Sequence, residues 1–129
     1  MSLSIIELGT KRRKNELRIG TVRRPPRGVR KEDFAKLDYY DVWFPMLSPS
    51  AELMKEGQAA IDNEKAWLVF CKKFKSELAK GEAMNALDLI AKLSHQTEIS
   101  IGCYCKDEKK CHRSVLRELL VDKGADILK

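Results

Sequence analysis

Three thiols, an imidazole and a guanidinium crowd into residues 103–113 of this sequence, as Cys103, Cys105, Cys111, His112 and Arg113. A thiolate attacks electrophiles and binds soft metals, an imidazole exchanges protons near neutral pH, and a guanidinium holds oxyanions through a forked contact. Together these types describe nucleophilic or redox thiol chemistry on an anion. Cys105 or Cys111 would react, His112 would carry the proton, and Arg113 would grip the oxyanion. A zinc centre is the second reading, with Cys103, Cys105, Cys111 and His112 as ligands. Its spacing fits poorly, because an adjacent Cys and His crowd one ion and no second paired ligand set exists. No metal and no cofactor are therefore assigned. A third reading leaves the cysteines as core filler and Arg113 as a nucleic-acid contact. A phosphatase-type loop, with five residues between Cys and Arg, is absent: Cys111 stands six places after Cys105, and Lys109 six after Cys103.

These groups need elements to hold them. Residues 97–105 read as a core strand in which Ile99, Ile101, Cys103 and Cys105 share a face by the two-residue period. Gly102 lies on the other face, where something packs close to the sheet. A charged turn follows. Cys111-His112-Arg113 then opens a helix whose Val115, Leu116, Leu119 and Leu120 form an apolar stripe, with Gly124 at its end. In an open α/β sheet, ligands bind where strand ends meet helix starts, and a helix N-terminus favours both anions and thiolates. Arg117, one turn further on, points the same way as Arg113.

A second concentration of charge lies upstream. Residues 11–31 hold ten basic side chains against Glu16 alone, a net +9, which leaves the rest of the chain at −3 within a total of +6. Leu17 and Ile19 alternate with Arg18 and Gly20 as a strand that runs into Arg23-Arg24-Pro25-Pro26-Arg27-Gly28. The two prolines cannot continue a ladder and stiffen the loop, and Gly28 permits a turn. The loop carrying Arg23, Arg24 and Arg27 is thus a candidate anion receiver, with Arg23 and Arg27 as the chosen anion-binding residues and ordinary surface ion pairs as the plainer alternative. Residues 11–31 also support a rival function, a nucleic-acid-binding module.

The remaining chain supplies scaffold. Residues 3–8 suggest a first strand, 31–37 one or two helical turns, and 39–44 a short strand or an aromatic loop. Ser50 is an N-cap for a helix from Ala51. The strongest helical pattern spans residues 59–80, with Cys71 in its apolar stripe as packing, and a further helix spans 82–93. His95 follows that helix as an end or surface residue, and residues 125–128 suggest a final strand. With 43 % hydrophobic and 34 % charged residues, the chain has the balance of a globular protein. Four cysteines are too few for a disulfide scaffold. No apolar run suits a membrane span or a secretory signal, so the expected compartment is the cytoplasm. The expectation is one domain over residues 1–129, of α/β class, with a small mixed or mostly parallel sheet and helices on both faces. Its expected partner is a phosphate-bearing or other anionic small molecule, and no oligomeric state is assigned.

Pro26-Arg27-Gly28-Val29, Trp43, the run from Leu47 to Leu53, Phe70 to Leu78, and Cys105 followed by Cys111-His112-Arg113 resemble the DUF488 family, which includes YeaO-like proteins. The resemblance covers residues 17–128. It implies a single α/β domain with a site built from the loop at 23–28 and the Cys-His-Arg helix start. Family members often carry Asp before the first loop arginine, where this chain has Val22. Many carry His-Ile beyond the final glycine, where this chain has Asp126-Ile127. If those groups supply a proton acceptor, the departures bear on catalysis and leave anion binding untouched.

Overall fold

The computed structural model describes residues 1–128; Lys129, the end of the expected domain, lies outside the described residues. Four strands form one sheet: β1 (Leu3–Glu7), β2 (Leu17–Gly20), β3 (Val42–Trp43) and β4 (Ile99–Cys103), in the order β1-β4-β2-β3. Every pairing is parallel, so of the mixed and mostly parallel sheets expected, the all-parallel limit is found. β4 is central and buried along its whole length, which is why its sequence is nearly free of charge. The suggested last strand is a single bridge from Ile127 to Leu3.

Four helices complete the α/β fold: α1 (Ala51–Ala59), α2 (Glu64–Leu78), α3 (Ala83–Leu93) and α4 (Arg113–Asp122). Ser50 caps α1 as expected, its side chain accepting from the Leu53 amide. The helix expected over 59–80 is shorter, because Asn63 caps α2 through the Ala66 amide and residues 60–63 form a turn. Cys71 is half-buried in free thiol form against the main core.

All four helices pack on one face, where Phe70, Phe74, Leu87 and Leu116 meet Leu3, Ile19, Ile99 and Ile101. The opposite face, also expected to carry helices, is covered by the loop at 8–16 and by residues 31–41, whose one helical piece is the 3-10 turn Lys31–Asp33. Topology explains the difference. The chain passes from β1 to β2 to β3 in one direction and returns to β4 in the other. Right-handed crossovers that run in opposite directions lie on opposite faces. Only the return path, through α1, α2 and α3, has the length for helices.

Glycines let that second layer lie close. A Cβ on Gly20 would come within 2.4 Å of the Tyr40 ring, and one on Gly102 within 2.5 Å of Leu8. The close packing expected at Gly102 is therefore that of Leu8. Beneath this layer Arg18, on the same face, is 1 % exposed; its Nε donates to Glu16 at 2.7 Å, and Ser100 donates to the same carboxylate.

Candidate functional site

β2 leads onward to β3, whereas β4 leads back through α4 toward β1. The connections part between these neighbouring strands, which places the ligand-binding crevice of an open α/β sheet at their carboxyl ends. A cavity of about 460 Å³ lies there. Cys103, Cys111 and His112 line its inner part, Arg23, Arg24 and Lys55 contribute cations, and Met54, Trp67 and Phe70 give an apolar wall. No acidic side chain lines it.

His112 stands at the N-cap of α4 and is 3 % exposed. Its Nε2 lies 2.7 Å from the Thr21 carbonyl just after β2. A carbonyl only accepts, so Nε2 carries hydrogen and Nδ1 is left to face Cys111 Sγ at 3.6 Å. The Phe74 ring meets the imidazole edge-on, with centroids 5.7 Å apart.

Arg113 is 2 % exposed and turned inward. Its Nε donates to Cys111 Sγ at 3.3 Å, one terminal nitrogen donates to the Cys105 carbonyl at 2.6 Å, and the other to the Ile6 carbonyl. Among the described residues no carboxylate pairs with it. The nearest group able to balance its charge is the Cys111 sulfur. Arg117, expected to point the same way, pairs with Glu108.

The three late thiols differ. Hydrogen bonds from Cys103 and Cys105 hold Cys111 well below the usual thiol range, with His112 helping against burial. Cys103 is pushed up by its hydrogen bonding to Cys105 and Cys111 and by burial. For Cys105 the bond from Cys103 lowers the value, but hydrogen bonding to Cys111 and burial raise it more. Cys105 is exposed, its Sγ 3.9 Å from that of Cys103. The ligand atoms of Cys103, Cys111 and His112 all lie within 4.8 Å of one another, close enough to hold a metal ion.

Of the six site residues expected, Arg23, Cys105, Cys111 and His112 line the cavity and Arg113 braces it from behind. Arg27 is exposed and does not line it. Arg24, named with Arg23 and Arg27 in the proline-stiffened loop, lines it too. Thr21 and Lys55 were not singled out, and Thr21 acts through its backbone carbonyl, for which a sequence carries no signal. In the basic segment, Arg12 pairs with Asp38 and Asp41, Arg13 with Glu16 and Glu98, and Arg18 with Glu16. Those three arginines brace loops through these pairs. No helix among the described residues is long and apolar enough to cross a membrane.

Among protein-family models, the one named DUF488-N3a and described as the active DUF488-N3 subclade matches residues 3–124. No curated protein and no solved structure matches the chain.

Proposed function

The chain belongs to the DUF488 family, in the DUF488-N3a subclade, and on that premise we propose that it binds an anionic small molecule and acts on it with the Cys111 thiolate. The observation that carries this reading is the buried Arg113, which donates to Cys111 Sγ and among the described residues pairs with no carboxylate, at the back of a cavity that has a cationic rim and, among those residues, no acidic side chain. A guanidinium taken out of water needs a counter-charge. The description of the matching family model as active accords with a reaction rather than binding alone.

In this scheme Arg23, with Arg24 and Lys55, holds the anionic group. Sulfur of Cys111 bonds to an electrophilic carbon or phosphorus of the substrate. The proton of the Cys111 thiol has passed to Nδ1 of His112, and the leaving group departs with its bonding electrons and takes that proton. Neutral His112 then accepts a proton from water, and the resulting hydroxide cleaves the bond to sulfur and restores the thiolate. Arg27 has no part in it.

Alkylation with reagents of different charge tests the reading. Metal-stripped full-length protein is treated with iodoacetate or with neutral iodoacetamide, and labelled cysteines are mapped by mass spectrometry. Iodoacetate should label Cys111 in preference to Cys71, inorganic phosphate should protect Cys111, and Arg23→Ala/Arg24→Ala should abolish both effects. Equal labelling by the two reagents without phosphate protection would refute it.

A further inference from the structure

We propose that Cys103, Cys111 and His112, completed by Cys105, form a binding site for one soft divalent metal ion of the zinc class. The inference shares the Cys111 thiolate with the function proposed above and adds a second, metal-loaded state of the same cluster.

Two of the ligand-to-ligand distances match the edges of a metal-coordination tetrahedron, and the ligand atoms of Cys103, Cys111 and His112 all lie within 4.8 Å of one another. Zinc–sulfur and zinc–nitrogen bond lengths give ligand-to-ligand edges of roughly 3.5–3.8 Å. Cys111 Sγ and His112 Nδ1 are 3.6 Å apart, and Cys103 Sγ and Cys105 Sγ are 3.9 Å apart. The crowding of an adjacent Cys and His, which weighs against zinc in the sequence, is thus absent in three dimensions. Cys111 closes the 3-10 turn before α4 and His112 opens the helix, and this change of backbone direction brings their donor atoms together.

The surrounding shell is also that of a metal site. Metal-bound histidines generally donate their other ring N–H to a carboxylate or a backbone carbonyl, which fixes the tautomer and aims the free nitrogen. The Thr21 carbonyl does this for His112 and leaves Nδ1 as the free donor. Three thiolates and a neutral imidazole around a divalent cation carry a net charge of −1. Arg113, with no carboxylate of its own and an N–H on Cys111 Sγ, supplies the compensating charge. Each ligating thiol releases its proton to solvent as the ion binds. Cys105 is exposed and lies at the cavity, so an ion can enter from that side.

Cobalt(II) used as a spectroscopic stand-in for zinc provides the test. Full-length protein, reduced and stripped with a chelator, should bind one equivalent of Co²⁺. The complex should show intense thiolate-to-cobalt charge-transfer absorption and the strong visible bands of tetrahedral geometry, and Zn²⁺ should bleach both. Cys103→Ser and His112→Gln should each weaken Co²⁺ binding by at least about tenfold, while Cys71→Ser should match the wild type. Absence of binding, a weak octahedral spectrum, or equal affinity in all three variants would overturn the proposal. If a variant fails to fold, the wild-type spectrum and stoichiometry still decide. Iodoacetate labelling of the stripped protein, run in parallel, separates the two readings. Anion-preferring labelling without the cobalt spectrum removes the metal site alone; the cobalt spectrum without that preference removes the anion reading alone.

Discussion

Replacing Cys111 with serine removes the sulfur that accepts from the Arg113 guanidinium, and the cost can be worked from the burial of both groups. Cys111 is 3 % exposed and Arg113 2 %, so water cannot take over the lost contact. Breaking a buried charge pair by deleting one partner costs about 3–5 kcal/mol. Cys103→Ser, which exchanges a protonated thiol for a hydroxyl nearby, should cost about 1 kcal/mol, the ordinary size of a point substitution. Urea unfolding of the metal-stripped chain reads the difference. With a slope of about 2 kcal/mol per molar, the midpoint should fall by about 1.5–2.5 M for Cys111→Ser and about 0.5 M for Cys103→Ser. Arg113→Met completes a double-mutant cycle. Once the guanidinium is gone, Cys111 can exist as a neutral thiol, so the serine substitution should then cost about 1 kcal/mol, a coupling of about 2 kcal/mol or more. Equal losses at Cys103 and Cys111, or a coupling below about 0.5 kcal/mol, would mean that Cys111 is a neutral thiol and that Arg113 is satisfied by carbonyls alone.

Other consequences can be measured on the same protein. Arg18 and Ser100 hold the buried Glu16 carboxyl below its ordinary value despite desolvation. That stabilisation is present above the unfolded carboxylate's pKa of about 4.3 and is lost as pH falls through the lower folded value. Tm between pH 6 and pH 3 should therefore fall more steeply in the wild type than in Glu16→Gln. Arg18→Met strands Glu16 and should destabilise by about 3–5 kcal/mol, most of it recovered in Arg18→Met/Glu16→Gln, as chemical denaturation would show. A Cβ on Gly57 would come within 2.6 Å of the Phe70 ring, so Gly57→Ala should cost about 1–3 kcal/mol in the same assay and reshape the cavity wall. Thr21→Val removes the hydroxyl that donates to the Gly102 carbonyl at 2.9 Å and should cost about 1 kcal/mol. It keeps the Thr21 carbonyl, so the rate of Cys111 alkylation should be unchanged.

What could be read from the chain beforehand followed from local patterns. The alternation at Ile99, Ile101 and Cys103 located the central strand, and the 3.6-residue spacing of Phe70, Phe74 and Leu78 located α2. The approach of the residue 23–24 loop to the Cys-His segment was also legible, because parallel strands deliver their ends to one edge. Arg18 was legible only as part of the strand alternation; that the loop at 8–16 folds over it and Glu16 supplies its counter-charge was not. The inward turn of Arg113 was equally hidden, because one of its acceptors is the Ile6 carbonyl, 107 residues away in the chain. Burial of charge is decided by such long-range partners, which no local window contains.

The position of β4 between β1 and β2 has a consequence for biosynthesis. β1 and β2 hydrogen-bond to β4 and not to each other, so a nascent chain that has reached residue 98 has the short β2–β3 ladder but nothing to join β1 to it. Residues 99–111 bring both the keystone of the sheet and every sulfur of the cluster. Translation thus delivers scaffold and reactive centre in one stroke, and an unfinished chain on the ribosome presents no assembled thiol cluster to the cell.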